Sequence, residues 1–393
     1  MAWNEQADGV FRGGGVKGLG LAGALLGFAE HPTKPIKEWV NCAGASAGAI
    51  IASYLAVKRD KGVEGLEKLL RETDFREFQD FPPGGKIFGG APNLLFNHGL
   101  AHGNAFRNWF DEVLGGATFS AVKAPDGKNY RLKLIAVDVT NRELLLLPDD
   151  LPLYRREAGK PPINPDEFKI ADAARMSMSI PYFFEPIVLV RDRVRCTNAG
   201  DTDLAAGSLV DRMRIDAANQ RCRDAGQTVA EFEELDTQAE SYIIDGGTLS
   251  NFPVWVFDVD PTESSTGDAP KRMTFGFTLT GGRGVGAGVT HAVEHLPWLF
   301  RFGFDIFHTA QEAWDTRFVS HSTRVRTVAV NAGDVGTTDF DLDDKKKDML
   351  VANGRLAAKR FLDKFDPETY INTYHAAPAG VQQEEPALAG SPA

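Results

Sequence analysis

The sequence predicts an α/β protein built on a mainly parallel central sheet flanked by helices, and three observations carry that expectation. Twice within the first sixty residues a brief apolar run leads through a small-residue turn into an apolar helix, the pattern of β–α–β units. Three further strand segments, "YRLKLIAVDVT" (130–140), "ESYIIDGG" (240–247) and "KRMTFGFTLT" (271–280), supply the rest of a sheet. With 393 residues, 43% hydrophobic and 25% charged, the chain can bury a large core.

Taken in order, the first unit is "VFRGGGVKGLG" (10–20): a short strand at Val10–Arg12, a glycine loop, then a helix over 18–30 that is apolar on nearly every side. Gly20, Gly23 and Gly27 recur along one face of that helix and would let it sit close against a sheet. "EWVNCAGASAGAIIASYLAV" repeats the plan as strand, turn and helix. Residues 81–99, with Pro82, Pro83 and Pro92 among glycines and aromatics, read as a flexible flap. Residues 191–240 are polar and charged and read as an insertion into the sheet. Lys345, Lys346 and Lys347 open a C-terminal helix whose apolar stripe is expected through Leu350, Leu356, Phe361 and Phe365. The tail from 376 to 393 has the composition of a disordered segment, which leaves 1–375 as one domain.

A formal net charge of −11 disfavours a general affinity for nucleic acid or for anionic membrane surfaces, because the phosphate-neutralising contribution has the wrong sign. Cys42, Cys196 and Cys222 are too few and too scattered for a disulfide framework or a thiolate metal site, which fits a reducing compartment. The opening "MAWNEQADGV" lacks a basic and an apolar region of the signal-peptide kind, and no stretch reaches the ~18–20 apolar residues that span a bilayer. A cytoplasmic or membrane-peripheral location is the expectation.

Three motifs carry chemistry. "GASAG", Gly44 to Gly48, is G-x-S-x-G between an apolar strand and an apolar helix, the setting in which a sharp turn exposes a serine oxygen. The same serine could instead simply cap the helix. Asp245 ends the strand segment "YII" and is followed by Gly246 and Gly247, so its carboxylate emerges at the carboxyl end of a strand, where α/β sites form. On its own, Asp-Gly-Gly at a strand end reads equally as a turn. Gly13-Gly14-Gly15 fits both a dinucleotide fingerprint, as Gly13, Gly15 and Gly18 of G-x-G-x-x-G, and a cradle of amides for an oxyanion. The dinucleotide reading needs an acidic residue after the second strand, whereas Glu38 precedes it, and Lys17 lacks the neighbours of a phosphate-binding loop lysine.

In this order the three motifs closely resemble the patatin-like phospholipase family, as do "ARMSMSIPYFFEP" (174–186) and "DGGTLSNFPV" (245–254). The resemblance covers most of residues 9–365 and implies a three-layer fold and a Ser-Asp dyad that needs no histidine. It makes Ser46 the nucleophile, Asp245 the base, and the amides around Gly14, Gly15 and Val16 the oxyanion hole, beside Lys17 at the family's basic position. The substrate it implies is a lipid or phospholipid ester, met in transient contact with a membrane surface, with no cofactor and no metal. Two alternatives stay open: a Ser-Asp-His triad drawing on His291, His295, His308 or His321, and a lipid-binding protein without turnover.

Two further patterns lie outside this set. His291-Ala-Val-Glu294-His295 matches a zinc-peptidase arrangement, but Pro297 ends the helix it needs and a third ligand is missing. Phe300, Phe304, Phe307, Trp314 and Phe318 recur at helical spacing, as a core stripe or as a lipid-facing one.

Overall fold

The computed structural model describes residues 3–83, 97–196, 204–205, 220, 232–258, 272–281, 302, 309, 324–336, 339 and 341–374. Its strands are β1 (Gln6–Phe11), β2 (Glu38–Ala45), β3 (Gly99–Ala101), β4 (Leu132–Asp138), β5 (Glu143–Leu147), β6 (Tyr154–Arg155), β7 (Tyr182–Phe184), β8 (Ile187–Cys196), β9 (Leu204–Ala205), β10 (Phe232–Asp245), β11 (Met273–Thr280) and β12 (Thr327–Asn331). The helices are α1 (Gly18–Ala29), α2 (Ala47–Val57), α3 (Gly62–Glu72), α4 (Asn104–Leu114), α5 (Ile170–Ser177), α6 (Asp344–Lys364) and α7 (Pro367–Tyr374).

The main sheet runs β12-β11-β1-β2-β4-β10-β8-β6, with β5 on β4 and β9 on β8. From β12 to β4 every neighbour pair is parallel, and β10, β8 and β6 extend the sheet antiparallel. Helices α1, α2, α3, α5 and α6 cover one face, over a core that includes Phe11, Phe28, Trp39, Leu134, Phe275 and Phe277. On the opposite face Val10 and Ala43 are covered by Phe252 and Val254 from the segment after β10. The chain is thus a mixed α/β protein on a mainly parallel central sheet, as the paired strand–turn–helix units imply.

Where the elements differ from the sequence expectation, burial explains it. β1 begins at Gln6, not Val10. Its polar Asp8 sits in the strand, buried, because the carboxylate accepts from Asn41 N–H at 3.1 Å and from Arg272 at 3.2 Å. β10 begins well before 240, and with β8 it makes a long antiparallel ladder, so both ends of the polar 191–240 stretch continue the sheet. Of the expected stripe in α6, Leu350 and Phe365 are buried and Phe361 packs partly buried against the core, but Leu356 is exposed; the buried face of the helix is Leu350, Val351, Gly354, Ala358 and Leu362. That face packs on α1, and the glycines of α1 approach this helix as well as the sheet. A Cβ on Gly23 would stand 2.4 Å from Val351 O, and one on Gly354 would stand 2.1 Å from Gly20 O. Most of the 81–99 flap, the interior of 191–240, the histidines from His291 to His321, all five members of the aromatic pattern and the tail lie outside the described residues.

Candidate active site

β2 ends at Ala45 and α2 begins at Ala47, leaving Ser46 alone to turn the chain. It does so at φ 53°, ψ −128°, a conformation that costs a non-glycine residue about 1–3 kcal/mol. The motif glycines make the turn sterically feasible. A Cβ on Gly48 would lie 2.1 Å from Phe11 O, and one on Gly44 would lie 2.3 Å from Gly48 O. Ser46 stands at the N-cap of α2, yet its side chain makes no capping bond, so the hydroxyl is not spent on the helix. The helix instead directs its positive N-terminal end at this point.

Asp245 reaches the same point from the opposite direction. β2 runs parallel to β4 and β10 runs antiparallel to it, with Ala45 paired to Ile135 and Asp245 paired to the next residue, Ala136. Two strand ends therefore meet at consecutive positions of one strand. Gly246 permits this closeness, since a Cβ there would lie 2.1 Å from Ile135 O. Asp245 is fully buried; its Oδ1 accepts from Gly247 N–H at 2.7 Å, and Oδ2 makes no full hydrogen bond among the described residues. Burial raises its pKa to about 7, while the facing Ser46 hydroxyl and the Gly247 amide hold it down. The turn reading of Asp-Gly-Gly is correct as far as it goes: one carboxylate oxygen makes the turn, and the other remains for the serine.

The glycine loop closes the third side. It leaves β1 beside the elbow, and Gly13 N–H donates to Asn251 O at 3.2 Å. A Cβ on Gly13 would come within 2.9 Å of Ser46 Cβ and 2.2 Å of Asn251 Oδ1, so bare backbone faces the serine here. Gly15 takes φ 57°, which glycine adopts without strain, and opens a single 3₁₀ turn to Lys17. Val16 and Lys17 are buried, Lys17 N–H donates to Gly14 O at 3.3 Å, and Gly18 starts α1. Among the described residues no protein acceptor takes the amides of Gly14, Gly15 or Val16. Such amides beside a serine side chain are suited to an anion.

Three residues that the motifs did not single out complete the surroundings, two through their side chains and Asn251 through its backbone carbonyl. Ser177 binds the Ser46 backbone, Arg175 ties down the segment that holds Ser177, and Asn251 anchors Gly13. Their signal was present as polar residues inside apolar stretches, at the end of α5 and in "LSNFPV". Glu38 opens β2 at the end remote from Ser46, where Gln6 and Arg59 bind it. The described histidines are engaged elsewhere: His31 with Asp363, His98 against the Tyr242 ring, and His102 with Glu185 at 2.8 Å. Among the described residues no group of three His, Cys, Asp or Glu side chains could hold a metal ion.

A family model for patatin-like phospholipases matches residues 9–258, the span that carries the glycine loop, the elbow and Asp245. The chain belongs to the patatin-like phospholipase family. Membership implies a lipid hydrolase. This patatin-like chain is also 28% identical over 365 residues to the uncharacterized protein YqhO of Bacillus subtilis, a match covering 91% of this chain and 98% of that protein. Among solved structures, VipD from Legionella pneumophila is 17% identical with a TM-score of 0.42, over 91% of this chain and 67% of VipD. The type III effector ExoU of Pseudomonas aeruginosa is 14% identical with a TM-score of 0.40, over 92% of this chain and 54% of ExoU. No helix among the described residues of this patatin-like chain is long and apolar enough to cross a membrane.

Proposed function

We propose that this protein is a serine-dependent lipid acyl hydrolase, cleaving carboxylic esters of phospholipids or related lipids through an acyl-enzyme on Ser46. The observation that carries the reading is the meeting of Ser46 with a fully buried carboxylate, Asp245, whose pKa lies near 7. A base with that pKa is ionised in a useful fraction at neutral pH and still holds a proton well enough to return it.

In the forward step the Ser46 Oγ–H proton passes to Asp245 as Oγ attacks the ester carbonyl. The tetrahedral oxyanion then takes hydrogen bonds from the amides of Gly14, Gly15 and Val16, assisted by the N-terminus of α2. Asp245 returns the proton to the departing alcohol, and water repeats the sequence to release the fatty acid. Leu249, which is 39% exposed just after the aspartate turn, and Trp255, equally exposed, offer apolar surface to a lipid close by.

Ser46→Ala is expected to abolish hydrolysis of a short-chain ester and labelling by a fluorophosphonate, with the thermal transition retained, because alanine suits the turn. Asp245→Asn is expected to abolish both as well. Phospholipid vesicles analysed by mass spectrometry then identify the acyl position from the fatty acid and lysolipid released. Labelling that persists in Ser46→Ala places the nucleophile elsewhere and rejects the dyad.

A further inference from the structure

Ser46 N–H lies at the start of α2, where helix geometry leaves it without an intrahelical acceptor, and it is buried. A buried amide needs a partner, and here the partner is a side chain from a distant part of the chain. Ser177 Oγ accepts from Ser46 N–H at 3.0 Å and donates onward to Ile135 O at 2.6 Å. Ile135 is the β4 residue paired with Ala45, so one hydroxyl ties the elbow to the strand beside it. Two residues further on, Ser179 O accepts from Asp245 N–H at 2.9 Å. Two residues of one short stretch, Ser177 and Ser179, therefore hold the backbones of both Ser46 and Asp245.

The short stretch is itself fixed. Arg175 is buried; its Nη2 donates to His102 O at 2.6 Å and Glu185 O at 2.8 Å, and its Nη1 donates to Ser179 Oγ. The guanidinium also lies over the Phe184 ring at 5.1 Å. Ser177 and Ser179 are both fully buried, so water cannot substitute for these contacts.

We propose that Arg175–Ser179 is a ruler that sets the separation of nucleophile and base, with Ser177 the positioning residue for Ser46. This rests on the serine–aspartate reading above. Ser46 holds an unfavourable φ, and its backbone amide is fixed in that conformation by Ser177. Without the Ser177 hydroxyl the elbow can relax, and the Ser46 oxygen swings away from Asp245 while the apolar surfaces that hold a lipid stay where they are.

The test is Ser177→Ala in the full chain, assayed on a soluble ester from pH 5 to 9 together with the rate of fluorophosphonate labelling. Misplacing a reacting group by about 1 Å costs on the order of 100-fold, so kcat and the labelling rate are expected to fall by about 10- to 100-fold with KM within twofold. The pH midpoint should move upward, because the Ser46 hydroxyl is one of the two groups that hold the Asp245 pKa down, while the burial of Asp245 and its contact with Gly247 are untouched. Leu362→Ala, a core change in α6 remote from the site, serves as the stability control and should keep the parental kcat. A Ser177→Ala kcat within threefold of the parent overturns the ruler. So does a matching kcat loss in Leu362→Ala, which would trace the effect to stability, or a midpoint that does not rise, which would leave the Ser46 hydroxyl in place against Asp245. Should the alanine variant fail to fold, Ser177→Cys, close in size but a weaker hydrogen-bond partner, is judged by the same three readouts. A parent enzyme that neither hydrolyses the ester nor takes the label removes the dyad itself, and that outcome is distinct from an active parent with an unaffected variant.

Discussion

A carboxyl group shut away from water, with one amide and one hydroxyl for company, keeps its proton through most of the acidic range. For Asp245 this has two consequences of opposite value. Activity should rise with pH along the ionisation of the base, so kcat/KM for a short-chain ester is expected to have its acid limb near pH 7, and a limb near pH 4 would reveal an ordinary exposed carboxylate. Stability should move the other way. In the unfolded chain the carboxyl ionises near its usual 3.8, whereas in the folded chain it stays protonated to about 7, so the folded state binds the extra proton and loses stability as pH climbs between those values. Asn carries no charge to bury. Asp245→Asn is therefore expected to match the parent near pH 4 and to exceed it above pH 7 by on the order of 4 kcal/mol, measured by urea unfolding. Equal stability at pH 8 would show that the aspartate is not strained by its burial. At this scale the sequence was informative where chemistry demands an unusual residue pattern: Ser46, Asp245 and the glycine loop were legible because few other sequences make such turns. Ser177 was not, since a serine in an apolar helix end has many ordinary explanations, and only the distance to Ser46 N–H separates them.

Helices α1 and α6 show the same divide among elements. The apolar character of α1 and its repeated glycines were plain in the sequence, but which neighbour they face was not. Helical spacing says that Gly20, Gly23 and Gly27 share a face; it does not say whether a sheet or a helix lies against it. The expected stripe in α6 missed at Leu356 for a related reason. Leu356 is large and apolar, yet the contact with α1 selects the small residues Gly354 and Ala358, which let the backbones close together, and leaves the leucine outside. The edges of β1 and β10 were hidden by polar residues such as Asp8, whose burial is intelligible only once Asn41 and Arg272 are seen beside it. The interface itself can be probed by Gly23→Ala. Alanine favours a helix over glycine by about 1 kcal/mol, but the added methyl would sit 2.4 Å from Val351 O, and forcing packed backbones apart costs about 1–3 kcal/mol or more. Net destabilisation is expected, visible as a lower denaturant midpoint with an unchanged slope. A more stable variant would mean that the two helices separate without penalty.

Across the whole molecule the two members of the proposed dyad come from opposite ends of the family-matched span, and they meet only because β2 and β10 end against neighbouring residues of β4. The elbow is a local structure that β1, β2 and α2 can build early. Asp245 arrives through a long-range antiparallel pairing, the slower kind of contact to form. During refolding from denaturant, the recovery of helical signal should therefore precede the recovery of fluorophosphonate labelling, and simultaneous recovery would place β10 in the early-folding part of the sheet. Register matters as much as timing. Strand side chains alternate between faces, so a slip of β10 by one residue along β4 would turn the carboxylate to the wrong side of the sheet. The proposed dyad would thus carry its own proofreading: a nascent or mispaired molecule would hold Ser46 without its base, and hydrolysis would belong only to copies whose last central strand has found its place.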